Sequence, residues 1–319
     1  GLAELYLRIY FVGMTATMIY NFGSAILRAI GDTKRPLYYL LAAGVVNVVL
    51  NLFFVIVCRL GVAGVAIATV ISQTISAFLV VRCLMKEQGA IRLELKELRI
   101  EKDKLMRILQ IGLPAGFQGI VFSLSNVVIQ SAINSFGAIA VAGNSAAANI
   151  EGFVYMAMNA FYQATISFTS QNFGAKKKDR INKILFAGQV YVVATGLILG
   201  SLAVFFGKEL LGIYSTSPEV IAAGMVRLQY ICKVYFLCGI MDVFVGALRG
   251  IGYSIMPMIV SLLGACGLRL LWLATVFQIP QYHTQDIIYL SYPITWVITF
   301  TVHALCYIWA RKQVDKKLV

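Results

Sequence analysis

Two acids and two bases stand inside long apolar runs of this chain: Glu151, Asp242, Lys233 and Arg269. A charge within an apolar layer costs about 2.5–3.5 kcal/mol on insertion scales, so each needs a reason. A carboxylate in such a place can take up and release a proton, hold a cation, or attract a positively charged solute. A nearby base can instead cancel it in an ion pair. Lys233 and Asp242 lie nine residues apart, too far for a bridge along one helix, whereas Arg269 has the reach from the following stretch. Asp242 and Glu151 are therefore read as proton- or cation-coupling residues, with Lys233 and Arg269 as ion-pair partners in the structural alternative. Polar residues accompany them. Gln118, Asn126, Gln130 and Asn134 recur at helical spacing, and Asn149, Asn159 and Gln163 follow in the next apolar run. They are read as the lining of a polar cleft; hydrogen bonds between packed helices are the alternative.

Other chemistries find little support. The six cysteines are scattered through apolar runs without a Cys-x-x-Cys pair, and there are only two histidines, His283 and His303. No metal spacing, no His-Glu-x-x-His and no Gly-x-Ser-x-Gly is present. The reading is of a protein that is not an enzyme and holds no cofactor or metal beyond a coupling ion, H⁺ or Na⁺.

The elements that must position these residues are membrane spans. The chain is 60% hydrophobic and 13% charged, against roughly 25% charged for a soluble domain. Its apolar runs are long enough to cross a bilayer. They predict an all-α polytopic membrane protein with nine helices, at 3–27, 36–58, 60–84, 106–136, 138–172, 182–206, 219–248, 255–279 and 285–310. The connecting segments alternate in charge. One set holds Arg28, Lys34 and Arg35, the bases from Arg82 to Arg107, the Lys176–Lys183 cluster, Arg249, and the terminal bases from Arg311; the other holds Arg59 and Lys208. The basic set, with the C-terminus, is assigned to the cytoplasm and the chain to the plasma membrane. This topology accounts for the net charge of +13 without a nucleic-acid partner. Arg8 and Arg227 each lie about 30 Å of helix from Arg28 and Arg249, and are read as anchors at the outer interface.

The chain also repeats itself. Leu27-Arg28-Ala29-Ile30-Gly31 with Pro36 returns as Leu248-Arg249-Gly250-Ile251-Gly252 with Pro257, every matched pair 221 residues apart. The complete six-helix unit begins near Leu105, so its counterpart would begin roughly 116 residues before Gly1, the length of three spans. The expectation is a twelve-helix parent with two lobes related by a pseudo-two-fold axis, the first lobe incomplete here. Residues 1–86 would be the last three helices of the N-lobe, 87–105 an amphipathic helix on the cytoplasmic membrane surface, and 106–319 the complete C-lobe. Ile91, Leu95 and Leu98 would form the apolar face of that linker. Pro114 is read as a helix kink, with Gly112 and Gly116 beside it for close helix packing. Arg28, Gly31, Pro36, Arg249, Gly252 and Pro257 are read as structural.

The two Leu-Arg-x-x-Gly segments with their prolines, Ser170-Gln171-Asn172-Phe173-Gly174-Ala175, and Ile111-Gly112-Leu113-Pro114 together resemble the MATE family (multidrug and toxic compound extrusion transporters). The resemblance covers essentially the whole chain. It implies an antiporter driven by H⁺ or Na⁺ that exports cationic lipophilic compounds, with small-molecule substrates, the bilayer as surroundings and a monomeric state. Asp242 matches an acid that helps bind the cation in the sodium-coupled branch. That branch's second acid has no counterpart in 106–136, which carries Gln118, Asn126 and Gln130 instead. Glu151 is the nearest replacement. A flippase for lipid-linked saccharides on the same scaffold is the alternative, and a larger, more basic cavity would favour it.

Overall fold

A computed structural model describes residues 1–317, with helices and no strand among them. The chain divides into two units, Gly1–Ile100 and Glu101–Val319. The first holds α1 (Leu2–Val12), α2 (Met14–Ala29), α3 (Lys34–Leu52), which continues as a π-helical turn to Val57, and α4 (Gly61–Lys86). The second holds α5 (Lys102–Asn134), α6 (Ala138–Gly174), α7 (Lys178–Phe205), the short α8 (Gly207–Gly212), α9 (Pro218–Ile231) and α10 (Phe236–Gly250). It closes with α11 (Ile255–Ser261), α12 (Leu268–Ala274) and α13 (Gln285–Lys317).

Six helical segments are long and apolar enough to span a bilayer, and eight if each bent pair counts as one span. The bent pairs are α1 with α2 and α9 with α10. The ninth expected span, α6, has 37 residues but falls short in apolarity. The cause is its inventory of Asn144, Asn149, Glu151, Asn159 and Gln163, the polar residues singled out above. Large apolar side chains such as Leu41, Val45, Leu113, Phe117, Ile120 and Val127 stay exposed on α3 and α5. Runs of exposed apolar surface of this kind suit contact with lipid or protein rather than water. The chain is a multi-pass, all-α membrane protein.

The sequence repeat has a backbone counterpart. Gly31 and Gly252 both adopt positive φ, +90° and +94°. Each closes its helix in the same way: Asp32 N donates to Leu27 O at 3.0 Å, and Tyr253 N to Leu248 O at 2.9 Å. This is the left-handed helix end that glycine reaches without a Cβ penalty. Gly252→Ala is expected to cost about 1–2 kcal/mol for that reason, read as an earlier melting of the purified protein. The bends repeat too. α1 meets α2 at 47° at Gly13, and α9 with the 3-10 turn after it meets α10 at 46° at Tyr235, within one residue of the 221-residue offset.

In the first unit Arg35 pairs with both Asp32 and Glu87, tying the α2–α3 turn to the end of α4. Burial pushes the Asp32 carboxyl up, but its bonds to Arg35 outweigh this and hold it below the usual value. That contribution is present above the ordinary carboxylate range and is lost only as pH falls below it. Tyr20 donates to the Pro36 carbonyl at 2.8 Å.

The expected amphipathic linker helix does not form. Residues 87–101 hold two single 3-10 turns, Gly89–Ile91 and Leu95–Glu97, separated by extended residues. Leu93 returns its N–H to Leu84 O at 3.0 Å and packs against the Tyr20–Leu27–Leu84 cluster. This tertiary contact holds the chain extended where a short isolated helix would be marginal. α5 carries Pro114 in its interior as one continuous helix from Lys102 to Asn134. One further expectation fails there. A Cβ on Gly112 or Gly116 would meet nothing within 4 Å, so neither packs closely against a neighbour.

Within the second unit α10 lies between two apolar clusters. One joins it to α6, α7 and α9 through Met158, Val192, Leu228 and Val243. The other joins it to α5, α12 and α13 through Ile129, Met241, Leu273 and Tyr289.

Candidate functional site

The site is built where α6 and α9 touch. Gly143 and Gly224 face each other so closely that a Cβ on Gly143 would sit 2.7 Å from Gly224 N. One turn beyond Gly224, this approach delivers Arg227 to the polar side of α6. Arg227 Nε and Nη2 donate to Glu151 Oε1 and Oε2, both at 2.7 Å, and Nη1 donates to Asn144 Oδ1 at 2.6 Å. Tyr289 of α13 donates to the same Asn144 oxygen at 3.2 Å. Asn144 Nδ2 in turn reaches Gln130 Oε1 of α5 at 2.8 Å, and Gln130 Nε2 reaches Asn134 at 3.0 Å. Tyr289 and Tyr292 each present a ring 5.7 Å from the Arg227 guanidinium. Glu151 and Arg227 are 5% and 8% exposed. This is a planar, two-point Arg–carboxylate fork, which combines charge with fixed geometry.

Arg227 therefore is not an interface anchor. α9–α10 is not a straight rod with Arg227 at its end: it bends, and the face on which Arg227 lies is buried with Gly224, Leu228 and Ile231. That face was the available signal, since Gly224 and Ile231 stand three and four residues either side of it. Glu151 is accordingly not a free acid.

Beside this cluster lies a cavity of about 430 Å³. It adjoins a second of about 330 Å³ above Glu151 and Arg227, the two sharing Asn126, Tyr155, Tyr235, Tyr292 and Trp296. Asp242, Arg249 and Arg269 line the larger one. Asp242 makes no hydrogen bond or ion pair among the described residues, so the expected pairing with Lys233 or Arg269 is not found. Lys233 is exposed, turned outward on the 3-10 turn between α9 and α10. Arg269 is 3% exposed and donates Nη2 to Thr295 at 3.1 Å, with its guanidinium 3.8 Å from the Tyr292 ring centre. Arg249, expected to be structural, donates to Gln118 Oε1 at 2.8 Å and to Tyr162 Oη, and faces this cavity. Its repeat mate Arg28 is exposed.

The other cleft residues divide. Asn126 lines both cavities and Gln118 and Gln130 one each. Asn149 and Gln163 are exposed, Asn159 is half-buried, and none of the three lines either cavity. They occupy other faces of α6, whose 3.6-residue period does not bring all its polar positions to one side. Pro36 and Pro257 are buried at the starts of α3 and α11.

Two family models match the chain: MatE over residues 114–274, and lipid II flippase MurJ over residues 3–137. The probable multidrug resistance protein YpnP of Bacillus subtilis is 31% identical over 268 residues, 84% of this chain and 60% of its own length. YoeA of the same organism, also a probable multidrug resistance protein, is 26% identical over 98% of this chain and 69% of its own. The chain thus spans about 60–70% of the length of these relatives. A variant of the Vibrio cholerae MATE transporter VcmN has the same fold, with a TM-score of 0.86 at 20% identity, covering 97% of this chain and 69% of that one. With a MatE match over half its length, on this helical architecture, the chain belongs to the MATE family.

Proposed function

We propose that this chain works as part of an ion-coupled exporter of small organic compounds, with a proton as the coupling ion and Asp242 as its carrier. Members of the family are transporters rather than enzymes. The reading is supported above all by Asp242, which lines the cavity and has no hydrogen-bond or ion-pair partner among the described residues, whereas Glu151 is committed to Arg227. A single carboxylate suffices for a proton, whereas a sodium site needs several oxygens. Ionised Asp242 attracts the positive group of a lipophilic cation, the class that the family resemblance implies. A proton arriving on Asp242 removes that attraction and releases the solute. Alternating access would come from two lobes rocking about a midplane site, with the basic loops in the cytoplasm.

The flippase alternative has its own support: the MurJ match over residues 3–137 and three cavity arginines, Arg227, Arg249 and Arg269, a more basic lining than the sequence suggested.

The test is efflux from cells or proteoliposomes, with Na⁺ and pH gradients varied separately. Asp242→Asn is expected to lower pH-driven efflux at least tenfold, and a Na⁺ gradient alone to drive none. Equal efflux by Asp242→Asn and the native protein refutes the coupling role; efflux on Na⁺ alone refutes the proton.

A further inference from the structure

The cavity that Asp242 lines also holds a buried guanidinium with no carboxylate paired to it among the described residues. An arginine keeps its proton under all ordinary conditions. Arg269 is 3% exposed, gives only Nη2 to Thr295, and has no carboxylate within 4.0 Å among the described residues. Its Nε is buried without a hydrogen-bond partner, and Nη1 makes no hydrogen bond. Contact with the Tyr292 ring at 3.8 Å eases the charge but does not neutralise it. Arg249 repeats the pattern more weakly: its Nε is also buried and unpartnered, and its other nitrogens meet only the neutral Gln118 and Tyr162. The Glu151–Arg227 fork cancels itself. Two guanidinium groups thus stand against one ionised Asp242, leaving one positive charge in excess.

The walls around Arg269 are aromatic. The rings of Tyr235 and Trp296 lie 5.4 Å apart, and those of Tyr292 and Trp296 lie 5.6 Å apart edge to face. The space of about 430 Å³ is that of a small organic ligand. A buried charge without a counter-charge is costly, and a bound oxyanion relieves it.

We propose that Arg269 is an anion subsite, so that the cavity takes aromatic compounds bearing a carboxylate. The carboxylate sits on the free edge of the Arg269 guanidinium and the ring system lies among Tyr235, Tyr292 and Trp296. One such group, with Asp242 ionised, restores electroneutrality. The assignment deepens the transport reading of this cavity by naming the substrate class, and rests on that reading only for its biological meaning; binding is measured without transport.

The purified protein in lipid nanodiscs is titrated with 1-naphthoate and with its neutral isostere 1-naphthamide, followed by calorimetry. The native protein is expected to bind naphthoate at least tenfold more tightly than the amide. Arg269→Gln should bring the two to equal affinity by weakening naphthoate alone. Arg269→Lys, which keeps the charge but loses the planar donor array, should weaken naphthoate by about threefold to tenfold and leave the amide unchanged. Equal binding of both ligands by the native protein overturns the proposal. So does a naphthoate preference that survives in Arg269→Gln or is untouched in Arg269→Lys. Should Arg269→Gln fail to fold, the native ranking and the Lys variant still decide. A failure of proton coupling at Asp242 would leave these affinities unaffected.

Discussion

Glu151→Gln is expected to destabilise the second unit by about 3–5 kcal/mol, because it strands the Arg227 guanidinium inside the helix bundle. The fork joins α6 to α9, and Asn144 extends it to α5 and α13, so one substitution loosens four helices. Arg227→Met should cost a similar amount by leaving the Glu151 carboxylate alone. The pair Glu151→Gln with Arg227→Met should recover much of the loss, since no uncompensated charge remains. Thermal unfolding of the four proteins in one detergent forms the cycle. Additive losses in the double variant would show that the two side chains do not act as a unit.

Gly200→Val is expected to be the most damaging single change in the apolar packing. A Cβ at Gly200 would stand 2.1 Å from the Cys232 carbonyl oxygen. The obstacle is backbone, not the end of a flexible side chain, so α7 or the 3-10 turn Cys232–Val234 must move. Overpacking usually costs about 1–3 kcal/mol, and a clash with a main-chain atom belongs at or above the upper end. That turn lies at the α9–α10 bend, and Tyr235, the residue that follows it, lines the cavity wall. The variant should therefore lose both melting temperature and naphthoate affinity. Gly152→Ala is the control, since a Cβ there meets nothing within 4 Å. Native-like melting of Gly200→Val would mean that α7 and the turn are not in contact.

The comparison of spans with structure shows which features were local. Of the nine helical rods that hydropathy predicted, six are single apolar helical segments, two are bent pairs and one is the more polar α6; the helices themselves were legible because the bilayer's demand for internal backbone hydrogen bonds acts on every span separately. The turn at Gly31 and its mate at Gly252 were legible for the same reason: a helix end that needs positive φ selects glycine without reference to distant residues. The linker was misread because Leu93 is held by a core formed elsewhere in the chain.

Charges and spacings by themselves determined the membrane class, the repeat, and the short roll of groups able to do chemistry, since each follows from the residue type or from neighbours along one helix. Which of those groups meet was decided only by tertiary packing. The close approach at Gly143 and Gly224 gave Glu151 to Arg227, and with that partner taken, Asp242 and Arg269 were left unpaired on the wall of one cavity. The physical reason is range: burial depth is fixed by position along a helix, but an ion pair is fixed within a few ångströms by the rotation and bend of two helices, and neither is written in the sequence of either one.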